Sequence, residues 1–380
     1  MHFLVGTMVV VDLSDLDRLL VMLSDLDGSD LHIKAGSPPR MRLAGALRTM
    51  DDEPRFSQEE TLAIAESMMQ PSNLETFRAH HEVDFAYSLA GTARFRVNAY
   101  FQRGSVALAM RRVKAQADTV EELGLPEVVT RLAQEMRGLV LVTGPTGSGK
   151  TTTLAAMINH INHTRSCHVV TIEDPVEYLH TDDLADIDQR EVGFDTDTFG
   201  SAMRVVLRQD PDVILVGEMR DQETVSAALT AAETGHLVFS TLHTINATET
   251  INRIVDFFPP HQQQQTRVSL AGSLKGIICQ RLIPTADGKG RVPALELLVV
   301  NGRIQQSIID PLLTADIGGI VADGEYYGML TFDQSLVTLL SSGTIDLEEA
   351  MNTATNPHDL KVMLERKGIM QTGQFAPSFA

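Results

Sequence analysis

The sequence predicts an α/β protein that consists of a mixed αβ block followed by a longer block in which strands and helices alternate. Three observations lead to this prediction. A glycine-rich loop at residues 144–151 lies between an apolar run of strand length and a helical stretch. Beyond residue 123, apolar runs alternate with helical segments, which is typical of a mainly parallel sheet covered on both faces. Before residue 112, alternating strands occur without any phosphate-binding motif.

The first block begins with a predicted amphipathic helix, for which Ser14 and Asp17 form a capping box. Its apolar face consists of leucines at helical spacing, namely Leu16, Leu19, Leu20 and Leu23. Residues 58–80 are also predicted to be helical. Strands are predicted at residues 28–33, 38–43, 84–89, 93–102 and 106–110. In the strand 93–102, alternation places Arg94, Arg96 and Asn98 on the face opposite to the apolar side chains.

Residues 113–122 are polar and are predicted to be a linker before the second block. The predicted strands of this block are residues 138–142, 169–172, 213–216 and 237–240. The helices predicted between them are residues 152–161, 201–208 and 222–234. From about residue 303 the chain is predicted to be helical, with helices at 332–340, 347–354 and 359–367. The tail 371–380 is expected to be disordered.

Composition limits the classes of protein that fit. The chain has 380 residues, 43% hydrophobic and 21% charged, which is an ordinary globular composition with length for about two domains. The net charge of −19 argues against a surface that binds nucleic acid or anionic lipid throughout. Two distant cysteines, Cys167 and Cys279, suit a reducing cytosol and fit neither a zinc ribbon nor a disulfide framework. The apolar opening at residues 3–11 is too short to span a membrane and lacks signal-peptide features, and both Met1 and Met8 are candidate starts.

Residues 144–151 read Gly-Pro-Thr-Gly-Ser-Gly-Lys-Thr, a complete phosphate-binding loop. The glycines allow consecutive N–H groups to point at phosphate oxygens, and the following helix adds its positive N-terminal end. Lys150 is predicted to contact the β- and γ-phosphates and Thr151 to ligate Mg²⁺. The predicted nucleotide-binding residues are Gly144, Pro145, Thr146, Gly147, Ser148, Gly149, Lys150, Thr151 and Thr152. The sequence therefore predicts an NTPase, with ATP and Mg²⁺ as its ligands.

Two predicted strands of the second block are followed by carboxylates, at the edge where α/β sheets bind ligands. Glu173, Asp174 and Glu177 follow one strand, and either Glu173 or Asp174 is a candidate to hold Mg²⁺ through water. Glu218 follows the buried strand 213–216, which is the Walker B pattern, and is a candidate to polarise the attacking water. An acid after a strand is often only part of a solvated loop. Two such strands after a phosphate loop favour a catalytic site.

Two histidines and two arginines complete the candidate site. His236 and His243 bracket the strand 237–240, next to the predicted nucleotide strands, which favours a phosphate-sensing role over a structural one. Arg96 and Arg111 lie in the first block, where exposed arginines on strands are usually only solvated. The residue pattern alone therefore leaves the role of the arginines open.

The run 123–259 resembles the motor ATPases of type IV pili and type II secretion. The matching motifs are QREVG at 189–193, LRQDPD at 207–212, VGEMRD at 216–221 and AAETGH at 231–236, with SDLH at 29–32 and the following Pro38 and Pro39. The resemblance implies a PAS-like N-terminal domain (residues 1–112), a RecA-like ATPase core (123–300), a helical C-terminal region (301–370) and a homohexameric ring. It also implies an Asp box at 173–177 with Glu177 as its acid, Glu218 as the Walker B glutamate and a His box at 236–243. Arg96 and Arg111 then correspond to the arginines that a neighbouring N-terminal domain supplies.

Within this family the chain resembles the retraction branch, the PilT/PilU type. Assembly and secretion members of the family have longer chains, with an extra N-terminal domain and a four-cysteine zinc insertion. We expect neither feature here, and Cys167 and Cys279 cannot form that zinc site. Residues 303–310 keep only two isoleucines and an acid of the Ala-Ile-Arg-Asn-Leu-Ile-Arg-Glu segment found in retraction ATPases, which favours a PilU-like accessory paralogue. The resemblance implies a cytoplasmic protein, peripheral at the inner face of the cytoplasmic membrane. Its expected partners are an inner-membrane pilus platform protein and, for an accessory paralogue, a second retraction ATPase.

Alternatives from other functional classes stay open, besides a pilus or secretion assembly ATPase. A RecA-like ring can translocate DNA, but the net charge of −19 and the lack of a basic, aromatic-rich pore loop argue against this, and we expect no stable nucleic acid binding. A regulatory nucleotide switch that hydrolyses poorly is the other alternative. The complete set of Lys150, Thr151, Glu177 and Glu218 argues against such a switch.

Overall fold

The computed structural model describes residues 14–114 and 117–369, and the chain divides into two compact units. The first unit comprises Met1–Gln116 together with the short segment Glu177–Leu179, and the second comprises Ala117–Val176 and His180–Ala380. The apolar opening, the alternative starts Met1 and Met8, and the tail 371–380 lie outside the described residues.

The first unit is built on a six-stranded antiparallel sheet with the strand order β3-β2-β1-β6-β5-β4. Its strands are β1 (Asp30–Lys34), β2 (Arg40–Leu43), β3 (Ala46–Thr49), β4 (Glu82–Leu89), β5 (Ala93–Gln102) and β6 (Ser105–Arg112). Its helices are α1 (Ser14–Asp25), α2 (Gln58–Met68) and α3 (Pro71–His80).

The side chains that the predicted periodicities place on apolar faces form the core of this unit. The four leucines of α1 are fully buried. On β5, Phe95, Val97 and Ala99 are buried in the same cluster as those leucines, whereas Arg96 lies on the opposite, more exposed face. The capping box predicted at Ser14 and Asp17 stays a prediction, because α1 starts at Ser14, the first of the described residues.

The helical stretch predicted over residues 58–80 is confirmed, and the structure divides it into two helices. Helix α2 ends at Met68, and α3 begins at Pro71. A proline disfavours the helical conformation of the residue before it, and Met69 and Gln70 both have extended backbone. The proline then occupies the first turn of α3, where a missing N–H carries no cost.

The second unit is built on a seven-stranded sheet with the order β13-β12-β7-β11-β10-β8-β9. The strands are β7 (Gly138–Thr143), β8 (His168–Glu173), β9 (Asp186–Glu191), β10 (Val213–Val216), β11 (Leu237–Leu242), β12 (Leu274–Pro284) and β13 (Arg291–Val299). The helices are α4 (Glu127–Ala133), α5 (Lys150–Thr164), α6 (Phe199–Val206), α7 (Gln222–Glu233), α8 (Ala247–Asp256), α9 (Pro260–Ser273), α10 (Gly302–Ile309), α11 (Ile317–Ala322), α12 (Phe332–Ser341), α13 (Leu347–Thr353) and α14 (Pro357–Arg366). Short 3-10 helices lie at Thr314–Asp316 and Glu325–Tyr327.

This sheet is parallel except for β13, which pairs antiparallel with β12, and both of its faces are covered. Strand β7 shows why. Leu139 and Leu141 belong to one buried cluster, and Val140 and Val142 belong to a second cluster on the other face. The prediction of a mainly parallel sheet with two covered faces is therefore confirmed, and the carboxyl ends of β7, β8, β10 and β11 meet at one edge.

Several elements of the second unit were not predicted, and β9 shows the reason. This strand, Asp-Ile-Asp-Gln-Arg-Glu, lies at the edge of the sheet and pairs only with β8. A strand at the edge of a sheet can consist mostly of polar residues. Its sequence then shows no apolar run from which a strand could be predicted. The four consecutive glutamines at residues 262–265 lie inside α9, another element that was not predicted. Within the described residues, every helix is too short or too polar to span a bilayer.

Candidate active site at the phosphate-binding loop

The phosphate-binding loop connects the buried strand β7 to helix α5, as the motif predicts. Gly144, Gly147 and Gly149 have φ values of +144°, +78° and +90°, a region that side chains rarely occupy. Gly149 is the N-cap of α5 and offers no side-chain acceptor to the first amides of the helix. These amides and the helix dipole therefore favour an anion at this end, which fits the phosphates of ATP.

Lys150 lies in the first turn of α5 and is directed along the loop. Its Nζ donates to the carbonyl oxygens of Gly144 and Pro145 at 2.8 and 3.1 Å. Burial lowers the pKa of Lys150, and the Glu218 carboxylate opposes that shift. The lysine thus shares its electrostatic surroundings with the Walker B carboxylate.

A buried hydrogen bond joins β12 to α5 next to the loop, and the sequence analysis missed it. Gln280, in the middle of β12, donates from Nε2 to Thr153 Oγ1 at 2.8 Å, and both residues are buried. The neighbouring Ser148 is also buried, and among the described residues its hydroxyl has no hydrogen-bond partner. A glutamine between the apolar residues of β12 was the available signal, since buried polar side chains are normally paired.

The Walker B strand β10 places Glu218 at the carboxyl edge of the sheet. All four residues of β10 are buried. Beyond the strand, Thr241 Oγ1 donates to Gly217 O at 2.6 Å and Met219 N donates to Thr241 O at 3.2 Å, so pairing with β11 continues. Glu218 therefore leaves the sheet from a fixed backbone position, with its side chain only 18% exposed.

His243 and Glu218 are brought together, because they follow the neighbouring parallel strands β11 and β10. His243 Nε2 lies 3.1 Å from Glu218 Oε1. The other carboxylate oxygen, Oε2, accepts from Arg220, which the sequence analysis named only as part of a motif. A carboxylate with a histidine on one oxygen and an arginine on the other is the centre of the candidate site.

His236 is placed elsewhere, which corrects the prediction of two histidines at the phosphates. It lies just before β11, and its carbonyl oxygen accepts from Gly138 N, at the amino end of β7. The ring Nδ1 lies 3.0 Å from Ala231 O, at the end of α7. Since β7 and β11 are parallel and a strand rises about 3.3 Å per residue, the six residues of β11 separate His236 from the phosphate end by roughly 20 Å.

The acids after β8 differ in their availability. Glu173 is buried and accepts from Thr171 Oγ1 at 2.7 Å and from Gln189 Nε2 at 3.3 Å. Asp174 is exposed, and its charge contributes to the raised pKa of Arg220 after the larger effect of Glu218. Of the two predicted magnesium partners, Asp174 is therefore the one with an accessible carboxylate.

The predicted arginines lie next to each other in the first unit. Arg96 on β5 pairs in register with Arg111 on β6. Arg96 Nη1 lies 3.7 Å from Glu177 Oε1, so the Asp-box acid and this arginine are brought together. They line a cleft of about 400 Å³ with Arg111, Arg112 and Lys114. The segment that carries Glu177 is held by Leu179 N, which donates to the carbonyl oxygen of Lys114 at 2.9 Å.

Arg111 is oriented by a buried carboxylate. Its Nε donates to Asp30 Oδ1 at 2.9 Å, and Asp30 is buried at the start of β1. Burial acts to raise the pKa of Asp30, but hydrogen bonds from Ser29 and Arg111 hold it below its ordinary value. Asp30 is a residue of the SDLH motif, and its contact with Arg111 was not predicted.

Comparison with known proteins shows the family of the chain. The model of the family described as "Type II/IV secretion system protein" matches residues 28–319. The chain is 40% identical over 351 residues to the type IV pilus ATPase PilU of Pseudomonas aeruginosa, covering 92% of this chain and 91% of that protein. It is 43% identical over 345 residues to the type IV pilus retraction ATPase PilT of the same organism, covering 91% of this chain and 99% of PilT.

The fold is also similar to that of a solved relative. The crystal structure of the pilus retraction motor PilT with bound ADP matches with a TM-score of 0.83 and 45% identity, covering 91% of this chain and 99% of that chain. The mixed α/β architecture is thus that of a nucleotide-binding motor, and the phosphate loop is intact. The chain belongs to the type II/IV secretion system protein family and is an ATPase of the PilT/PilU type.

Proposed function

We propose that this chain is a motor ATPase that drives type IV pilus retraction, in which ATP hydrolysis powers pilin removal and twitching motility. The observation that carries the proposal is the His243–Glu218–Arg220 arrangement beside a complete phosphate loop, in a chain that matches 99% of the length of PilT. The relatives named above supply the process, and the site supplies the chemistry.

The proposed roles follow from position. The amides of residues 144–151 and the Lys150 ammonium bind the phosphates, and Glu218 accepts the proton of the attacking water. Thr151, in the first turn of α5, and the exposed Asp174 would hold Mg²⁺, the latter through water. Within the described residues no cluster of three or more His, Cys, Asp or Glu side chains is arranged for a metal ion. A magnesium ion held mainly by ATP phosphates and waters fits such a site, and its contribution is to neutralise charge on the phosphates.

We further propose that the first unit is the PAS-like domain, that the second contains the RecA-like core and the helical C-terminal region, and that six chains form a ring. A ring gives the arginines of the cleft, Arg96 and Arg111, a role at the site of a neighbouring subunit. These arginines lie in a unit without a phosphate loop, and an arginine delivered by a neighbouring subunit is a known way to stabilise the transferring phosphoryl group.

The surface of α10 supports a PilU-like accessory role over a stand-alone motor. Residues 303–310 keep the two isoleucines of the retraction segment, and Ile304 and Ile308 are both fully buried. Of the positions that differ, Arg303, Gln305, Gln306 and Ile309 are exposed, whereas Ser307, in place of the leucine, is buried. The two buried isoleucines are thus retained, and most of the changes lie on the surface of the segment. We propose that this protein acts with a second retraction ATPase, at a pilus platform protein on the cytoplasmic face of the inner membrane.

Deletion of the gene, scored for surface pili and twitching, tests the function. Loss of retraction leaves pili in excess and reduces twitching, and wild-type protein restores both, whereas Lys150→Ala does not. A deletion strain without surface pili would identify an assembly motor instead. Repeating the deletion in a strain that lacks the second retraction ATPase tests the accessory role, because an accessory protein then changes nothing further. A further loss of twitching in that strain would show that this protein retracts pili alone.

A further inference from the structure

Arg220 is the residue at the site that no motif assigns a task. Its Nε donates to Glu218 Oε2 at 2.8 Å, and its Nη2 lies 2.8 Å from the same oxygen. His243 Nε2 takes the other oxygen, Oε1, at 3.1 Å. The carboxylate is therefore held from both sides, and its rotation is restricted at each oxygen.

The position of Met219 in the backbone bears on the contact between Arg220 and Glu218. Met219, between them, is buried, and its N–H donates to Thr241 O of β11, beyond the end of β10. With Met219 buried between them, the side chains of Glu218 and Arg220 meet each other. Because Glu218 and Arg220 are only two residues apart, this ion pair closes a very short loop. Since the Arg220 side chain is 62% exposed, the pair adds little to the stability of the fold.

Arg220 stays protonated and positively charged at any pH used for an ATPase assay. The hydrogen bond that Arg220 donates to Glu218 raises the pKa of the guanidinium above its ordinary value, and the charge of Asp174 adds to this. A planar guanidinium with two nitrogens on one oxygen also sets direction, which a lysine ammonium does not. Arg220 thus combines a permanent charge with a fixed geometry beside the group that must face the attacking water.

We propose that Arg220 is a positioning residue for ATP hydrolysis, which with His243 holds the Glu218 carboxylate in the orientation that accepts a proton from water. The inference rests on the proposed role of Glu218. An ionised carboxylate has about four lone-pair sites, and two Arg220 nitrogens on Oε2 with His243 on Oε1 leave one site, on Oε1, free for that water. Removing Arg220 lets the carboxylate rotate about its side-chain bonds, and the water then meets an acceptor in the wrong place.

Steady-state ATPase kinetics of the full chain test this proposal with Arg220→Ala, Arg220→Lys and the control Arg366→Ala, an exposed arginine at the end of α14. Misplacing a catalytic group by about 1 Å can cost 10²-fold in rate. We expect kcat of Arg220→Ala to fall roughly 10- to 100-fold with KM for ATP changed less than about twofold. Arg220→Lys recovers part of kcat, and Arg366→Ala matches wild type. Equal melting temperatures show that the variants are folded.

A double-mutant cycle separates positioning from a merely structural role. If Arg220 acts through Glu218, Arg220→Ala produces no further loss in a Glu218→Gln background. A multiplicative further loss there overturns the proposal, as does a higher KM with unchanged kcat, which would indicate direct contact with ATP. Wild-type or faster turnover of Arg220→Ala, with Glu218→Gln inactive, overturns the role of Arg220 alone. Normal turnover of Glu218→Gln overturns the role of Glu218 and this proposal with it.

Discussion

Replacing Gly144 with alanine is expected to cost much more activity than replacing Gly147, although both glycines belong to the phosphate loop. A Cβ at Gly144 would lie 2.3 Å from the carbonyl oxygen of Gln280 and 2.6 Å from Ser148 Oγ. At Gly147 a Cβ would meet no atom within 4 Å. Both residues have φ values that favour glycine, +144° and +78°, so the two variants differ mainly in the clash.

The size of the effect follows from the contact with Gln280. Ordinary contact begins near 3.4 Å, so the loop has to move away from β12 by about 1 Å, because the packed strand yields little. A displacement of about 1 Å at groups that hold a reacting phosphate can cost 10²-fold. The unfavourable backbone conformation adds roughly 1–3 kcal/mol of strain in either variant. We expect kcat/KM for ATP to fall on the order of 100-fold in Gly144→Ala and less than about 10-fold in Gly147→Ala.

The assay is steady-state phosphate release by the two full-length variants beside wild type, with melting temperatures measured to show that each is folded. Nucleotide binding, followed with a fluorescent ATP analogue, separates lost affinity from a lost rate. Equal losses in Gly144→Ala and Gly147→Ala would refute the reasoning. The shared backbone conformation, and not the approach of the Gln280 carbonyl, would then decide the cost.

Three further predictions concern the site and its surroundings. Glu218→Gln should bind ATP and hydrolyse it roughly 10²- to 10⁴-fold more slowly, because the amide keeps the shape and loses the base; if phosphate release stays normal, Glu177 is the better candidate. A mixture of Arg111→Ala and Lys150→Ala proteins should regain turnover if a neighbour supplies the arginine, since mixed interfaces then combine an intact Lys150 with an intact Arg111, whereas no recovery in confirmed mixed rings means that Arg111 acts within its own chain or only structurally. Burial lowers the pKa of His180 from 6.5 to about 4. As the pH decreases, the imidazole is therefore protonated in the unfolded chain before it is protonated in the folded chain, and the free energy of unfolding should fall between about pH 6.5 and about pH 4. Urea unfolding at several pH values should show a weaker dependence in His180→Asn, and an unchanged dependence would mean that other groups control acid stability.

The contiguous motifs could be predicted because the chain neighbours of each residue determine its local geometry. Gly-Pro-Thr-Gly-Ser-Gly-Lys-Thr needs only a strand before it and a helix after it, and both are present. Glu218 could be placed at the carboxyl edge of the sheet, and His243 near it, for a related reason. Each follows a strand of a parallel sheet, and the carboxyl ends of such strands meet at one edge.

His236 shows where that reasoning stops. It belongs to the same sequence motif as His243, but a motif does not state which end of a strand faces the nucleotide. The parallel register of β11 with β7 decides it, and six residues of strand lie between the two histidines. The contacts of Arg111 with Asp30 and of Arg96 with Glu177 were likewise beyond sequence reasoning, because they join side chains that are distant in the chain.

By itself the sequence determined the class of fold, the phosphate loop, the Walker B strand and the chemistry that these permit, because hydrophobic period and loop composition act over a few residues. Only the tertiary structure decided which side chains support that chemistry. The contact of Gln280 with Thr153, the position of His236 and the double hold on Glu218 all depend on strand order and register. Register is set by the burial of whole strand faces, a property of the assembled sheet and not of any one segment.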